Sequence, residues 1–324
     1  MLLASATIII GIALLVWSAD KFVAGAASLA RNLGMSPLLI GLTVVSIGTS
    51  APEILVSVTA ALVGASGIAI GNALGSNIAN IGLVLGITAL IVPLPVHSKL
   101  FRKELPILVV VTLIAGLLLI DLSLSRIDGL ILLAMMVVTL YLLAHYQPSD
   151  EDSELIVEEE EELPQLTTKT AIFWLITGLL LLVLSSRALV WAATFIAQQM
   201  GISDLIIGLT IVAIGTSLPE LAASVTSALK GHHEIAIGNI IGSNIFNLLI
   251  VMSLPAVIKP YQFDLALVWR DYGLICLLTA MLVFFSYSSI RFKKIQLGRT
   301  SGILFCSLYL GYLTLLYLES SGQI

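Results

Sequence analysis

Long apolar stretches, separated by short polar ones, run along almost the whole chain. Four of them carry no Asp, Glu, Lys or Arg, and they are Leu2–Ala19, Ile68–Val92, Tyr272–Tyr287 and Ser301–Leu318. A helix crosses the hydrocarbon core of a bilayer in roughly 20 residues. The first stretch lacks the basic start and the small-residue cleavage site of a signal peptide, so we interpret it as a span. The pattern therefore predicts an all-α membrane protein.

Applied to the whole chain, the same pattern predicts ten transmembrane helices. Ser36 followed by Pro37 is typical of a helix start and marks the beginning of the second helix. The predicted spans lie near 2–19, 37–63, 68–92, 105–121, 127–145, 171–197, 205–229, 235–258, 270–288 and 301–318.

The composition agrees with a membrane location. Hydrophobic residues make up 58% of the 324 residues and charged residues only 11%. That is too little charge to cover the surface of a soluble domain. The two cysteines, Cys276 and Cys306, fall inside apolar spans and are interpreted as core-filling side chains.

One segment is too acidic to lie in the membrane. Nine acidic residues fall between Asp150 and Glu162, and we interpret 147–169 as a solvated cytosolic linker between 1–146 and 170–324. A calcium-sensing role for this linker is an alternative, although the segment is too short for a folded regulatory domain.

The distribution of basic residues predicts how the chain crosses the membrane. With the N-terminus outside, eleven Lys and Arg residues fall in inside loops and four fall in or near outside loops. Cytoplasmic loops carry the excess of basic residues in membrane proteins. Both termini are therefore predicted outside, in a multi-pass protein of the inner or plasma membrane.

The strongest feature of the sequence is an internal repeat. The segments 41–80 and 208–247 align without a gap at an offset of 167, and 26 of 40 positions are identical. Span two thus matches span seven, and because five spans separate equivalent elements, the direction through the membrane reverses. The halves are predicted to be inverted five-helix repeats, a plan found in many secondary transporters.

Two acidic residues occupy matching positions in the repeat. Glu53 and Glu220 lie in the middle of apolar spans, where a carboxylate costs about 3 kcal/mol on insertion scales. Such residues either line an ion pathway or pair with a base, for which Arg187 is the nearest candidate. We favour the first interpretation, in which the two carboxylates meet between the repeats and bind cations.

A proline directly precedes each of these acids, Pro52 in one copy and Pro219 in the other. Proline has no amide hydrogen and its ring pushes against the preceding turn, so helices two and seven are predicted to be broken, with a simple kink as the alternative. The break frees carbonyls near Thr49 and Thr216, and carbonyl oxygens are good ligands for Na⁺ and Ca²⁺. Such backbone is tolerated in a membrane only around a cavity or ligand.

Further oxygen donors recur on the same helix faces. Thr49 precedes Glu53 by four residues, and Thr216 precedes Glu220 by the same interval. A serine and an asparagine repeat this spacing in the next span of each copy, and they are Ser76, Asn80, Ser243 and Asn247. These oxygens suit hard cations, and no cluster of Cys or His favours zinc or copper. Hydrogen bonding between helices is the alternative role for the two serines.

Two other features have simpler interpretations. Gly71 with Gly75, and Gly238 with Gly242, form GxxxG steps that predict close helix packing. His232 and the histidine after it fall in a predicted cytosolic turn, where solvation explains them and pH sensing is a weaker alternative.

The paired motifs resemble a known family of transporters. GLTVVSIGTSAPE with GNALGSN, and GLTIVAIGTSLPE with GNIIGSN, are similar to the two alpha-repeats of the sodium/calcium exchanger family, within the calcium/cation antiporter superfamily. The repeats cover about 80 residues, and the ten-span layout extends the similarity over the whole chain. The resemblance implies a secondary active antiporter in which helices one and six slide across an eight-helix core.

The resemblance also implies a cluster of four ion sites. Glu53 and Glu220 would hold a central calcium ion with the carbonyls of Thr49 and Thr216. The implied sodium ligands are Ser46, Thr49 and Ser76 in one half and Ala213, Thr216 and Ser243 in the other, with Ser50 and Ser217 nearby and Asn80 and Asn247 lining the middle.

One departure from the family pattern concerns charge. Some relatives carry Asp where this chain has Asn80 or Asn247, so the site here has two formal negative charges. One Ca²⁺ would neutralise them, whereas three Na⁺ would leave one positive charge. Potassium-dependent relatives carry the missing Asp, and proton-coupled relatives carry an acid soon after Gly71-Asn72 where this chain has none. Both couplings are therefore disfavoured.

We predict exchange of Na⁺ for Ca²⁺ across the membrane, with calcium extrusion driven by sodium entry. Proton-coupled cation exchange is an alternative, and so is a passive cation channel, which broken helices alone would permit. Inverted repeats favour alternating access over a channel. The predicted partners are the two ions and the lipid bilayer, with no nucleic acid, no cofactor and no enzymatic chemistry.

Overall fold

The structure is a computed structural model that describes residues 2–64, 66–95, 100–144, 166–200, 213–291 and 296–321. Most of the predicted acidic linker and the first part of the seventh predicted span lie outside these ranges. The described part of the chain is mainly helical, and its long helices carry most of the apolar stretches.

The helices follow the predicted order along the chain. They are α1 (Leu2–Leu33), α2 (Pro37–Thr49), α3 (Ala51–Leu62), α4 (Gly67–Ile91), α5 (Leu100–Leu118), α6 (Arg126–Ala144), α7 (Thr168–Gln199), α8 (Ala213–Thr216), α9 (Leu218–Leu229), α10 (His233–Ile258), α11 (Leu267–Ser288) and α12 (Arg299–Ser320).

Seven of these helices are long and apolar enough to cross a bilayer, namely α1, α4, α6, α7, α10, α11 and α12. The bent pair α2 and α3 would make an eighth span. The protein is therefore an integral, multi-pass membrane protein. Among the remaining predicted spans, the fourth corresponds to α5, and the seventh is only partly described.

Helix α1 continues beyond the predicted end of the first span near residue 19, as far as Leu33. The charged residues that suggested an end find partners beside the helix. Asp20 lies 2.6 Å from the ammonium group of Lys230, and the ammonium group of Lys21 lies 5.4 Å from the ring centroid of Trp174. Paired charges are tolerated where isolated ones would end a span.

Helices α1 and α7 pack against each other in opposite directions. A Cβ atom on Gly25 would lie 2.6 Å from the backbone nitrogen of Leu175, and one on Gly178 would lie 2.6 Å from that of Phe22. Nearer the start of α1, Gly11 faces Leu189. Residue numbers thus rise along one helix as they fall along the other, and glycine allows the two backbones to approach closely.

Helices α2 and α10 also approach closely, through the second GxxxG step. A Cβ atom on Gly238 would lie 2.6 Å from the carbonyl oxygen of Leu38, and one on Gly242 would lie 2.5 Å from that of Leu42. The packing prediction is thus confirmed for this step. For Gly71 and Gly75, the partners expected from the repeat fall in 204–212, outside the described residues.

Four short strands connect the loops between the long helices. Strand β1 (Leu94–Pro95) pairs antiparallel with β4 (Gln296–Leu297), and β2 (Ser123–Leu124) pairs antiparallel with β3 (Tyr261–Gln262). Each pair joins a loop from the first half of the chain to a loop from the second half.

The buried apolar side chains form two separate clusters. The larger one joins α4, α5, α6, α10, α11 and α12, and the smaller one lies mainly between α1 and α7. The smaller cluster also takes in Ile40 and Val45 of α2, Ala223 of α9 and Ile235 of α10, so α1 and α7 pack against the helices that carry the breaks.

Candidate ion-binding site

The site begins at two matching helix breaks. Helices α2 and α3 meet at an angle of 44° with Ser50 between them, and Ser217 separates α8 from α9. The two serines share one backbone conformation, with φ −84° and ψ 2° at Ser50 and φ −89° and ψ 5° at Ser217. A break with a change of direction is thus present at Pro52, where a simple kink was the alternative.

Each break places a glutamate in the first turn of the helix that follows. Glu53 lies in the first turn of α3 and Glu220 in that of α9, where the helix dipole favours a negative charge. Both side chains are only 1% exposed, and a hydrogen bond links the two breaks. Ser50 donates a hydrogen bond of 3.2 Å to Oε1 of Glu220.

Neither carboxylate is neutralised by a basic side chain in the described part of the chain. The salt bridges found there join Asp20 to lysines and Arg270 to Asp271 and Glu319. Arg187, the candidate from the sequence, has an exposed side chain. The ion-pair alternative therefore has no support in these contacts.

Most of the predicted ligands are buried around these two acids. Those at most 4% exposed are Ser46, Thr49, Ser50, Ser76, Asn80, Ser217, Ser243 and Asn247. Ala213 is the first residue of α8 and Thr216 the last. Asn80 and Asn247 each begin a π-helical stretch, Asn80–Leu85 in α4 and Asn247–Val251 in α10, a distortion that is frequent at functional sites.

Many polar atoms of this group have no hydrogen-bond partner among the described residues, although more than 90% of buried polar groups in proteins have one. They are Oε2 of Glu53 and of Glu220, the hydroxyls of Ser217 and Ser243, and both amide atoms of Asn80 and Asn247. Such a set of buried oxygens around two carboxylates is chemically suited to hard cations, which prefer oxygen ligands.

Two hydroxyl groups of the first copy point their hydrogens at protein acceptors. Ser46 donates to the carbonyl of Leu42 at 2.6 Å, and Thr49 donates to Oδ1 of Asn239 at 3.1 Å. A hydroxyl whose hydrogen is already used keeps its lone pairs for a cation.

The structure adds residues that the sequence pattern did not indicate. Asn72 and Asn239 bond the backbone carbonyls of Glu53 and Glu220 respectively, and identity between the two repeat copies was a signal that could have found them. Ser186 of α7 donates to the carbonyl of Gly215 at 2.9 Å. One carbonyl freed near Pro219 therefore bonds to α7.

A cavity of about 300 Å³ reaches the second helix break from the side of α7. Its lining includes Ser186, Arg187 and Trp191 from α7, and Thr216 and Pro219 from the break. Most of the remaining lining is apolar, from Pro52, Val56, Val183, Val190 and Gly215. Among the predicted ligands, Thr216 lines this cavity.

Comparisons with known proteins agree with this fold. A family model described as sodium/calcium exchanger protein matches residues 3–144 and 170–318. The chain is 47% identical to a protein of Alkalimonas amylolytica that bears the antiporter name CaxA, over 98% of this chain and 99% of that protein. It is 43% identical to the inner membrane protein YrbG of Escherichia coli (strain K12), over 98% of each.

A solved structure extends the agreement to three dimensions. The sodium-calcium exchanger NCX_Mj superposes with a TM-score of 0.82 at 32% identity, covering 97% of this chain and 98% of that one. The match spans both copies of the repeat and both helix breaks. The chain belongs to the sodium/calcium exchanger protein family.

Proposed function

We propose that this protein is a secondary active antiporter that exchanges Na⁺ for Ca²⁺ by alternating access and extrudes calcium electrogenically. The observation that carries the proposal is the pair of buried acids, Glu53 and Glu220, at two matching helix breaks without a basic partner in the described chain. Membership of the exchanger family and the likeness to NCX_Mj support it.

Each predicted ligand has a proposed role. Glu53 and Glu220 bind Ca²⁺ with the carbonyls of Thr49 and Thr216. The sodium ligands are Ser46, Thr49 and Ser76 in one half and Ala213, Thr216 and Ser243 in the other. Ser50 and Ser217 assist these ligands, and Asn80 and Asn247 line the middle of the site. The buried oxygens without partners support this assignment.

The charge of the site gives the proposed electrogenicity. With Asn at positions 80 and 247, the two glutamates are the formal charges of the ligand set. One Ca²⁺ balances them and three Na⁺ exceed them by one charge. A cycle of three sodium ions for one calcium ion would therefore carry net charge across the membrane.

The proposed architecture is ten spans in two inverted repeats, 1–146 and 170–324, joined by the linker 147–169. The antiparallel packing of α1 against α7, which are equivalent at the offset of 167, supports the inversion. The strand pairs support the span count, since six predicted spans separate β1 from β4 and four separate β2 from β3. An even number returns the chain to the same side.

Alternating access is proposed to arise from movement of α1 and α7 across the other helices. The apolar cluster centred on α1 and α7, which is distinct from the larger cluster of the other helices, supports such a movement. In the predicted orientation, with both termini outside a cell membrane, the cavity beside Arg187 lies on the outer half of α7. The described conformation then corresponds to an outward-facing state.

The experiment is calcium uptake into proteoliposomes loaded with sodium. We expect uptake that requires the outward sodium gradient, responds to membrane potential and falls to background in Glu53→Gln and in Glu220→Gln. Asp121→Asn is the matched control, because Asp121 is an exposed carboxylate in a loop, and it should exchange like the wild type.

Other outcomes of this experiment would identify a different function. Uptake that ignores sodium but acidifies the medium would indicate proton coupling. Uptake that needs no counter-ion at all, at rates far above those of transporters, would indicate a channel. Activity that survives both glutamine substitutions would contradict the proposed site.

A further inference from the structure

One asparagine in each repeat copy makes the same contacts at the helix break. Asn72 and Asn239 are equivalent at the offset of 167, in the Gly-Asn step that opens each second motif. Asn239 is fully buried, and Asn72 is partly buried. Neither belongs to the ligand set of the proposed function.

The amide nitrogens of these asparagines hold the two segments that carry the glutamates. Nδ2 of Asn239 donates to the carbonyl of Glu220 at 3.3 Å and to the hydroxyl of Ser224 at 2.9 Å. Nδ2 of Asn72 makes the equivalent bonds, to the carbonyl of Glu53 at 3.1 Å and to Ser57 at 2.9 Å. A carbonyl oxygen can only accept, so this contact fixes which end of each amide faces the break.

The remaining atom of the Asn239 amide reaches the other repeat copy. Its Oδ1 accepts from the Thr49 hydroxyl at 3.1 Å, a shorter contact than the 3.4 Å from the same hydroxyl to the carbonyl of Ser46. A hydroxyl that binds a cation must turn its hydrogen away from the ion, and this contact gives the hydrogen of Thr49 an acceptor. The amide of Asn239 thus joins the first turn of α9 to the end of α2.

We propose that Asn72 and Asn239 are positioning residues of the ion site, and that Asn239 orients the Thr49 hydroxyl across the two repeats. This proposal rests on the proposed function, because the proposed function is what assigns Thr49 and Glu220 as ion ligands. An amide suits the task because it offers two N–H donors and one acceptor in a fixed plane. An aspartate would offer no donor to the carbonyl of Glu220 and would add a negative charge.

The first test measures equilibrium binding of Ca²⁺ and of Na⁺ to the purified full chain. Outer-shell partners of metal ligands contribute about 10- to 100-fold in affinity, and we expect losses of that size for Asn239→Ala and Asn72→Ala. Asn239→Leu, which keeps the approximate size of the side chain but neither donates nor accepts a hydrogen bond, should also bind more weakly, so a folding defect in the alanine variant does not decide the test.

Asn244→Ala is the matched control. Asn244 is a buried asparagine of the same helix whose amide nitrogen donates to the carbonyl of Ile240, within α10. It should keep its affinity for both ions within about twofold. An equal loss of affinity in this control would overturn the proposal, since any buried amide of α10 would then have the same effect.

The second test is whether Asn239 acts through Thr49. If it does, the double variant Thr49→Val with Asn239→Ala should lose little more affinity than either single variant. The double variant Thr49→Val with Asn244→Ala should instead lose affinity by the product of the two single effects. Independent, multiplying losses for Thr49 and Asn239 would overturn the proposed link between them.

Sodium-coupled flux of the wild type is measured in parallel. This measurement distinguishes a failure of the proposed antiport function from a failure of the proposed positioning role. A wild-type protein that binds calcium but shows no coupled flux contradicts the proposed function, while the binding comparison still judges Asn239. A coupled wild type with unchanged affinity in all Asn72 and Asn239 variants contradicts only the positioning role. A wild type that binds neither ion overturns both proposals.

Discussion

At the scale of single residues, the decisive feature is the set of neighbours around the buried carboxylates of Glu53 and Glu220. A charged side chain in a membrane span costs about 2.5–3.5 kcal/mol on insertion scales, and here two acids are buried at helix breaks that the bond from Ser50 to Glu220 joins. In the described chain no basic side chain offsets them. Such an arrangement is unfavourable for a purely structural role and becomes favourable when cations are bound.

His232 provides a residue-scale prediction outside the membrane. Burial, together with the nearby charges of Lys230 and His233, lowers the pKa of His232 to about 4. An unfolded histidine titrates near pH 6.5, so between these values the unfolded chain binds more protons than the folded one. Stability from this residue is therefore lost as the pH falls from about 6.5 to about 4. We expect His232→Gln to flatten the fall in Tm across this window, measured by thermal unfolding in detergent.

The comparison at pH 7.5 is the control, because His232 is neutral in both states there. An equally steep fall in Tm in the variant and the wild type would contradict the prediction. The same low pKa also argues against His232 as a sensor of pH near neutrality, which was the weaker interpretation of the sequence.

At the scale of elements, the close packing of α10 against α2 leaves no room for a side chain at Gly238. A Cβ atom on Gly238 would lie 2.6 Å from the carbonyl oxygen of Leu38, and that backbone cannot move without disturbing α2. We expect Gly238→Ala to destabilise the protein by about 1–3 kcal/mol, as overpacking does, and thus to lower Tm. Gly311→Ala, at an exposed position of α12, should not lower it, because alanine favours helix. Equal shifts in the two variants would contradict the packing argument.

The bond from Ser186 to the carbonyl of Gly215 joins α7 to the helix break in the described conformation. A hydrogen bond contributes about 1 kcal/mol net, so Ser186→Ala should lower the population of this conformation relative to others by about fivefold. The measurement is labelling of Val190→Cys, a cavity position, by a membrane-impermeant thiol reagent in a protein whose two natural cysteines are replaced. We expect slower labelling in Ser186→Ala, and faster or unchanged labelling would count against this role.

The sequence predicted the elements of the site better than the contacts between them. The repeat identified both glutamates and their prolines, because an acid deep in an apolar span is too costly to recur at matching positions without a functional reason. It did not identify the contact of Thr49 with Asn239, since identity between copies does not show which residues meet across them. The end of α1 was misplaced because the partner of Asp20 is Lys230, which lies 210 positions away in the chain. Ser186 lies outside the repeat, so no pattern indicated it.

At the scale of the whole molecule, the two halves of the chain differ in charge at one matching position. Arg187 lines the cavity beside α7, whereas the equivalent position of α1, 167 residues earlier, is Asp20. A fixed positive charge near a cation pathway lowers the local cation concentration. A divalent ion feels twice the electrostatic energy of a monovalent ion.

Removal of this charge should therefore change calcium affinity more than sodium affinity. In Arg187→Gln we expect the apparent affinity for Ca²⁺ on the cavity side to rise by the square of the rise for Na⁺. A twofold rise for Na⁺ would thus correspond to about a fourfold rise for Ca²⁺. Both effects should shrink as ionic strength rises and screening increases. The check is ion-dependent flux in proteoliposomes at low and high salt, and equal changes for the two ions would contradict the electrostatic explanation.

The two strand pairs have a mechanical consequence. The strand pairs β1–β4 and β2–β3 hydrogen-bond loops of the first half of the chain to loops of the second half. Every helix that adjoins one of these paired loops belongs to the group around α4 and α10. In the described part of the chain, neither α1 nor α7 adjoins a paired loop. A displacement that carried α1 and α7 together would therefore leave both strand pairs intact.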